Sequence, residues 1–287
     1  MKDIKYLIKD IYDIVGSDWL TKAEETGFAE NLGSRLREVS RSKNEAPRLR
    51  LSQMGNKCPC QLWHSIHSPE LAEPLKPWTH IKFAYGHMVE ALVISMAKAA
   101  GHEVVGEQDE LVVDGVVGHR DCVIDGYVVD VKSAGRLTFQ KYKDGSLRSN
   151  DPFGYLDQLD AYMLGSRNDD LVRHKSTGFI LAVNQELGHL ALHEHQCRPE
   201  HIIKRIADYR AIVGQAVPPP CTCVSVADGS SGNFKLDIRG SYNPFKYACK
   251  PGLRCFLYAD GPRYLTKVVR KPDVPEVNRE GKIIYAN

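Results

Sequence analysis

Apolar positions change period along this chain, and the changes mark its elements. Ile4, Leu7, Ile8, Ile11 and Ile14 recur at helical spacing. Ser17-Asp18 then offers a cap for a second helix running through Arg37. Residues 40–50 (SRSKNEAPRLR) are polar and basic and read as a connection. After LSQMGNKCPCQLWHS and a Pro-punctuated loop, the run from Thr79 to Ala100 has the pattern of a long helix closed by Gly101. Period two takes over in HEVVGE, DELVVDG, VVGHRDCVI and YVVDVKS, which predicts short strands. Residues 151–166 predict another helix, with Asp151 as its cap and Pro152 at its first position. TGFILAVNQE and GHLALHEHQ predict two more strands, followed by a helix from about Pro199 to Val213. Beyond Pro218-Pro219-Pro220 the pattern is irregular, and the expectation is a loop-rich tail.

The chemistry concentrates in Gly118–Ser133, GHRDCVIDGYVVDVKS. Asp125-Gly126 between two β-rich runs signals a tight hairpin. Asp130 and Lys132 then share a face, and antiparallel pairing can bring Asp121 beside Asp130. Paired carboxylates repel unless a positive charge lies between them, and a hard divalent cation is the usual solution. A hairpin with solvated side chains is the competing expectation. On the preceding helix Gly86 and Glu90 share a face, and the apolar flanks of Glu90 demand a partner for its charge. Gln158 and Tyr162 likewise stand one turn apart.

Composition narrows the class without naming a partner. With 287 residues, 43% of them hydrophobic and 26% charged, the chain is an ordinary globular one. A formal charge of +2 announces no bulk nucleic-acid affinity, so any basic surface has to be local. No window resembles a membrane span or a secretory signal, which makes a cytoplasmic protein the expectation. In that setting eight cysteines read as thiols or metal ligands before disulfides.

Gly86-x-x-x-Glu90, Gly118-x-x-Asp121, Asp130-x-Lys132 and Gln158-x-x-x-Tyr162, in that order, resemble the PD-(D/E)XK nuclease superfamily. The likeness is to its RecB-type and phage exonuclease members, related to the CRISPR-associated four-cysteine nucleases, and covers about residues 50–215. The resemblance implies an α/β, restriction-endonuclease-like core with a mixed central β-sheet flanked by helices. The implied division is a helical N-terminal arm (1–45), the core (46–215) and an irregular C-terminal tail packing on it (216–287). It also implies a Mg2+- or Mn2+-dependent exonuclease hydrolysing DNA phosphodiester bonds in recombination, repair or phage DNA processing. Glu90, Asp121, Asp130 and the Val131 carbonyl would hold the metal. Lys132 would activate water, and Gln158 and Tyr162 would orient the site. A site-specific or structure-selective endonuclease and a non-cleaving DNA-binding protein are the other readings. Localisation would be cytoplasmic, in the host cytoplasm for a phage-encoded protein.

The expected partner is DNA, single-stranded or with free ends, together with a recombination or single-strand-binding protein. His87, His119, Ser133, Arg136 and Lys141 are candidate DNA contacts, and Arg120 reads as structural. Residues 134–150 interleave Arg136, Lys141, Lys143 and Arg148 with Phe139 and Tyr142. They read equally as a single-strand platform or as an amphipathic helix with its aromatics inward.

Related nucleases often carry an iron–sulfur cluster on one early and three late cysteines. Cys58 and Cys249 match two of those positions, but Gly240 and Asn243 occupy the others and cannot supply thiolates. An iron–sulfur cluster is therefore not expected, and the region reads as ordinary packing. A different zinc or iron–sulfur site from Cys60, Cys221, Cys223 and Cys255 is the second option.

Overall fold

The computed structural model describes residues 2–40, 46–55 and 57–284. Its helices and strands up to the long hairpin are α1 (Leu7–Val15), α2 (Lys22–Ser40), α3 (Pro59–His67), α4 (Pro77–Ala99), β1 (Val104–Val105), β2 (Glu110–Val113), β3 (Val116–His119), β4 (Cys122–Ile124) and β5 (Tyr127–Ala134). They are followed by α5 (Arg136–Asp144), α6 (Tyr155–Gly165), β6 (Thr177–Asn184), β7 (Leu190–Gln196) and α7 (Pro199–Val213). The remainder holds β8 (Ser225–Ala227), β9 (Phe234–Leu236), α8 (Ile238–Ser241), α9 (Lys246–Cys249), β10 (Arg254–Tyr258), β11 (Gly261–Lys267), β12 (Glu276–Val277) and β13 (Ile283–Ile284).

The chain separates into two compact units. The first comprises residues 1–45, 50–55 and 75–204, and the second 46–49, 56–74 and 205–287. The first is mixed α/β, with a central five-stranded sheet in the order β1-β4-β5-β6-β7. Only β5 and β6 run parallel, and β4–β5 and β6–β7 are antiparallel. Helices supply the two faces. Ile4, Leu7 and Ile11 join Val93, Ile94 and Ala97 of α4 in packing on Val129, Val131, Phe179 and Leu181. Side chains alternate along a strand, so Asp130 and Lys132 are left for the opposite face, where α6 lies.

The tight hairpin forms as the sequence predicts. Ile124 pairs with Tyr127, leaving Asp125 and Gly126 at φ of 50° and 85°, both in the left-handed region a type I′ turn requires. Asp125 is buried, and its carboxylate accepts from the Glu103 amide and lies 2.6 Å from His102 Nδ1. The turn is thereby pinned to the C-terminal end of α4.

Four expectations are corrected. GHRDCVI is not one strand: β3 pairs with β2 in a separate ribbon, the ladder breaks at Arg120-Asp121, and β4 enters the main sheet. The second helix is capped by Thr21, whose amide donates to Glu24 at 2.7 Å, rather than by Ser17-Asp18. Pro152 lies outside α6, which starts at Tyr155 after Gly154 (φ 70°), while Asp151 caps it by accepting from Gly154 and Leu156. The last 70 or so residues carry a six-stranded sheet, β13-β12-β10-β11-β9-β8. Four of its six strands are only two or three residues long, too short to display a period. Residues 41–45 of the expected linker lie outside the described residues.

Gly126 fixes a stability test. A Cβ there would meet the Arg173 side chain at 2.6 Å on a backbone that already disfavours L residues. Gly126→Ala should lose more than about 1 kcal/mol in urea unfolding. Gly16→Ala, with open space and an ordinary φ, should be nearly neutral.

A candidate carboxylate–lysine site and a thiol cluster

The register of the hairpin builds the site. Cys122 pairs with Val129, so one step further Asp121 comes opposite Asp130. The Val131 amide donates to Asp121 Oδ2 at 2.7 Å, which ties the acid to the strand across from it. Val131 is thus placed as an amide donor. Lys132 Nζ lies 3.0 Å from Asp130 Oδ1 and 2.8 Å from Oδ2, so the ammonium pairs with both oxygens of the carboxylate. Gln158 Oε1 stands 3.5 Å from Lys132 Nζ, and Gln158 Nε2 donates to the Tyr162 hydroxyl at 2.8 Å. Asp121, Asp130, Lys132, Gln158 and Tyr162 therefore meet at one end of β4–β5, under α6.

Electrostatics show what this costs. Burial, then Asp130, then Glu90, push the Asp121 carboxyl well above the usual carboxylate range. Burial also raises Asp130, against the opposing pull of Lys132. Burial disfavours charge on Lys132, yet Asp130 and Asp121 outweigh it and push its pKa up. Lys132 is therefore held as an ammonium beside the two acids. Burial and the two acids likewise raise Tyr162, so its hydroxyl stays protonated.

Glu90 reaches this region from α4, on the other face of the sheet. It is buried, and the partner its charge demands is Arg35, 2.8 Å away on α2. Gln108 donates to Glu90 Oε1 at 3.1 Å and stands 3.5 Å from Asp121 Oδ1. Among the described residues, the oxygens of Glu90, Asp121 and Asp130 do not all fall within 4.8 Å of one another. Glu90 joins the pair through Gln108 rather than by sharing one ligand sphere. Sequence reasoning missed Arg35 and Gln108. The only signal was the demand that Glu90 be paired, which names no partner. Gln108 is further marked by its φ of 56°, visible only in the backbone.

The other predicted residues are distributed more widely. His87 Nδ1 lies 3.7 Å from Glu90 Oε2, beyond hydrogen-bond reach. Ser133 Oγ accepts from Gln185 at 3.1 Å and is the nearest neighbour of Gly86. His119 is half exposed and its contact is Glu110, 4.0 Å away on the β2–β3 ribbon, so it is not brought to the acids. Arg120 is fully buried between Asp109, Asp169, Ser166 and the Gly106 carbonyl. Residues 136–144 form helix α5 with Phe139 and Tyr142 buried, so those aromatics face the core and offer no stacking platform. Arg136 is exposed on it, whereas Lys141 donates to the Asn150 carbonyl at 3.2 Å.

A second cluster lies within the other unit. Cys58 precedes α3, Cys221 and Cys223 lie in the segment before β8, and Cys249 ends α9. The sulfurs of Cys58, Cys221 and Cys249 all fall within 4.8 Å of one another, with Cys58 and Cys221 3.8 Å apart. Cys223 joins them, because hydrogen bonds from Cys223 and then Cys249 pull the Cys58 thiol strongly down. Asn243, expected to mark a lost ligand, donates its amide toward Cys223 at 3.7 Å and Cys249 at 3.4 Å. Of the cysteines sequence reasoning grouped, Cys221 and Cys223 converge with Cys58 and Cys249, Cys60 packs against the same cluster, and Cys255 is buried in β10.

No family model matches this chain, and no curated protein matches it. A solved structure titled "Crystal structure of SSO0001" shares 16% identity over 69% of this chain and 89% of that one. Its TM-score of 0.36 is too low to bear on fold or function. Among the described residues no helix is long and apolar enough to cross a membrane.

The strained acids carry a stability signature. Asp121 binds its proton more tightly folded than unfolded, so its penalty is absent below about pH 4 and grows as pH rises through its folded pKa. Asp121→Asn should stabilise the metal-free protein by about 1–3 kcal/mol at pH 8. That gain should shrink toward pH 4, as read by denaturant melts across pH.

Proposed function

We propose that this protein is a metal-dependent deoxyribonuclease, acting as an exonuclease, built on a PD-(D/E)XK-type core. The observation that carries the reading is the Asp121–Asp130 pair, Asp130 fully buried, with Lys132 against it and the Gln158–Tyr162 pair behind. Raised carboxyl pKa values suit a hard divalent cation, Mg2+ or Mn2+, whose charge would favour the ionised acids. Asp121 and Asp130 would hold it, with the Val131 carbonyl and a reoriented Glu90 completing the set. When bound, such an ion polarises the phosphate and lowers the pKa of a coordinated water.

Hydrolysis then forms one phosphorus–oxygen bond from water and breaks another, and the leaving oxygen departs with a proton. Lys132, held protonated, stabilises the charge that builds on the phosphate oxygens. Gln158 stands between Lys132 and Tyr162 and helps hold the ammonium beside Asp130. Arg136, exposed at the start of α5, extends the positive charge beyond the end of β5. The substrate is DNA with a free end, and the setting is the cytoplasm.

The thiol cluster supports a second, structural centre in this reading. Three converging sulfurs with a fourth beside them form a donor set for a thiophilic metal, zinc or an iron–sulfur cluster. Elemental analysis of anaerobically purified protein should find zinc or iron bound. Visible absorption that bleaches on reduction would identify an iron–sulfur cluster. Cys58→Ser should abolish the bound metal, and metal-free protein with all thiols titratable would reject the centre.

The activity is tested on end-labelled linear single- and double-stranded DNA and a closed circle, with Mg2+, Mn2+ or chelator. Linear DNA should be degraded with the circle spared. Asp130→Ala and Lys132→Ala should each cut the rate by at least about 100-fold while DNA is still retained. Nicking of the circle would assign an endonuclease. Retention without cutting in any metal would leave a DNA-binding protein.

A further inference from the structure

The second half of helix α4 is packed into the core, with Val89, Glu90, Ala91, Val93 and Ile94 all buried. One residue in that stretch breaks the pattern, because Leu92 is 40% exposed. Followed back toward the start of the helix, Leu92 ends a row of large exposed apolar side chains. The others are Trp78 (68%), Ile81 (71%), Tyr85 (41%) and Met88 (44%). Their intervals are three, four, three and four residues. That alternation is the narrow seam along which two helices pack, and it differs from the broader stripe of a helix lying on a core. Glu90, which joins the acidic pair through Gln108, falls between the positions of the row and lies on another face. The site therefore does not account for the row.

Single exposed apolar residues are ordinary, but five in register over about 21 Å of helix form a patch. Together they expose roughly 500–600 Å² per chain, the size that marks an interaction surface. The row itself carries no charge, and nucleic acid is held chiefly through its phosphates, so the row suits another apolar seam instead. A spacing of three, four, three and four reads the same in both directions about Tyr85. A second copy laid antiparallel matches it position for position: Tyr85 on Tyr85, Ile81 on Met88, Trp78 on Leu92. Such an isologous contact closes on itself as a pair. The exposures fit that direction too. Trp78 and Ile81 stand out furthest and Met88 and Leu92 are recessed, so antiparallel pairing seats projecting side chains against recessed ones. Parallel pairing would set Trp78 on Trp78 and hold the two recessed ends apart. Two such faces bury about 1,100 Å² together, at the low end for a specific interface, which corresponds to a dimer of micromolar affinity.

We propose that the exposed seam of α4 is a homodimer interface, in which two copies of this chain pair antiparallel about Tyr85. The inference stands on exposure and spacing and is independent of the nuclease reading.

The test is sedimentation equilibrium of the full-length protein from about 1 to 200 μM. The average mass should rise from that of one chain toward that of two, with half-association in the micromolar range. Ile81→Glu and Met88→Lys each put a charge into the seam, and each should weaken association at least about tenfold. Both positions are exposed, so the urea midpoint of dilute protein should stay within about 0.2 M of wild type. Mixed in equal amounts, the two variants should associate one to one. Antiparallel pairing sets position 81 of one copy against position 88 of the other, where the introduced charges are opposite. Wild-type protein that stays monomeric at 200 μM would overturn the proposal, and so would a dimer that survives Ile81→Glu. A mixture that fails to associate would overturn the antiparallel pairing and the proposal with it. Monomeric wild type whose oligonucleotide binding is lost in Ile81→Glu would assign the seam to nucleic acid instead.

Discussion

Two carboxyl groups that repel one another are held side by side because β4 and β5 must pair in one register. The Asp125-Gly126 turn admits only two residues, and its backbone and the buried contact to His102 leave no room for slippage. Everything at the site follows from this. Lys132 is drawn onto Asp130, Gln158 onto Lys132, and Tyr162 onto Gln158, each link a response to charge left over by the previous one. The sheet supplies the rigidity that makes such crowding possible, since Val129 and Val131 on its reverse face are locked into the main core.

Most of that arrangement could be read in the sequence, and the physical reason is locality. A two-residue turn, a strand period of two and a helical period of 3.6 fix neighbours within a few residues or across one hairpin. Asp121, Asp130 and Lys132 are related in just this way, and so are Gln158 and Tyr162. What stayed hidden depends on distant segments. Arg35 reaches Glu90 from 55 positions away on another helix, and Gln108 turns inward through a backbone conformation that glutamine rarely adopts. The break at Arg120-Asp121 was hidden for a different reason. The residues on either side are β-formers, and only the burial of Arg120 among Asp109, Asp169 and Ser166 ends one ladder and starts another.

The cysteines show the limits of spacing most clearly. Lining up Gly240 and Asn243 with ligand positions assumes that ligands keep their places along the chain. Sulfurs converge in space, however, and Cys221 and Cys223, which spacing had grouped apart from Cys58 and Cys249, meet them there. Asn243 remains beside them as a donor to sulfur. A backbone with short strands and few periodic residues gives such convergence no outward sign, just as it concealed the second sheet.

Arg120 and Asp121 are adjacent, yet one is sealed inside a cage of acceptors and the other is turned toward Asp130. Neighbouring residues on an extended chain point opposite ways, so parity alone decides which of them goes where. Deleting Asp121 would bring Arg120 one place nearer Cys122, setting a cation against Lys132. The length of this junction is therefore as constrained as its buried residues, Arg120 and Cys122. In homologues, insertions should accumulate instead at the β2–β3 turn, where Asp114 and Gly115 already sit in left-handed conformations at the tip of a separate ribbon.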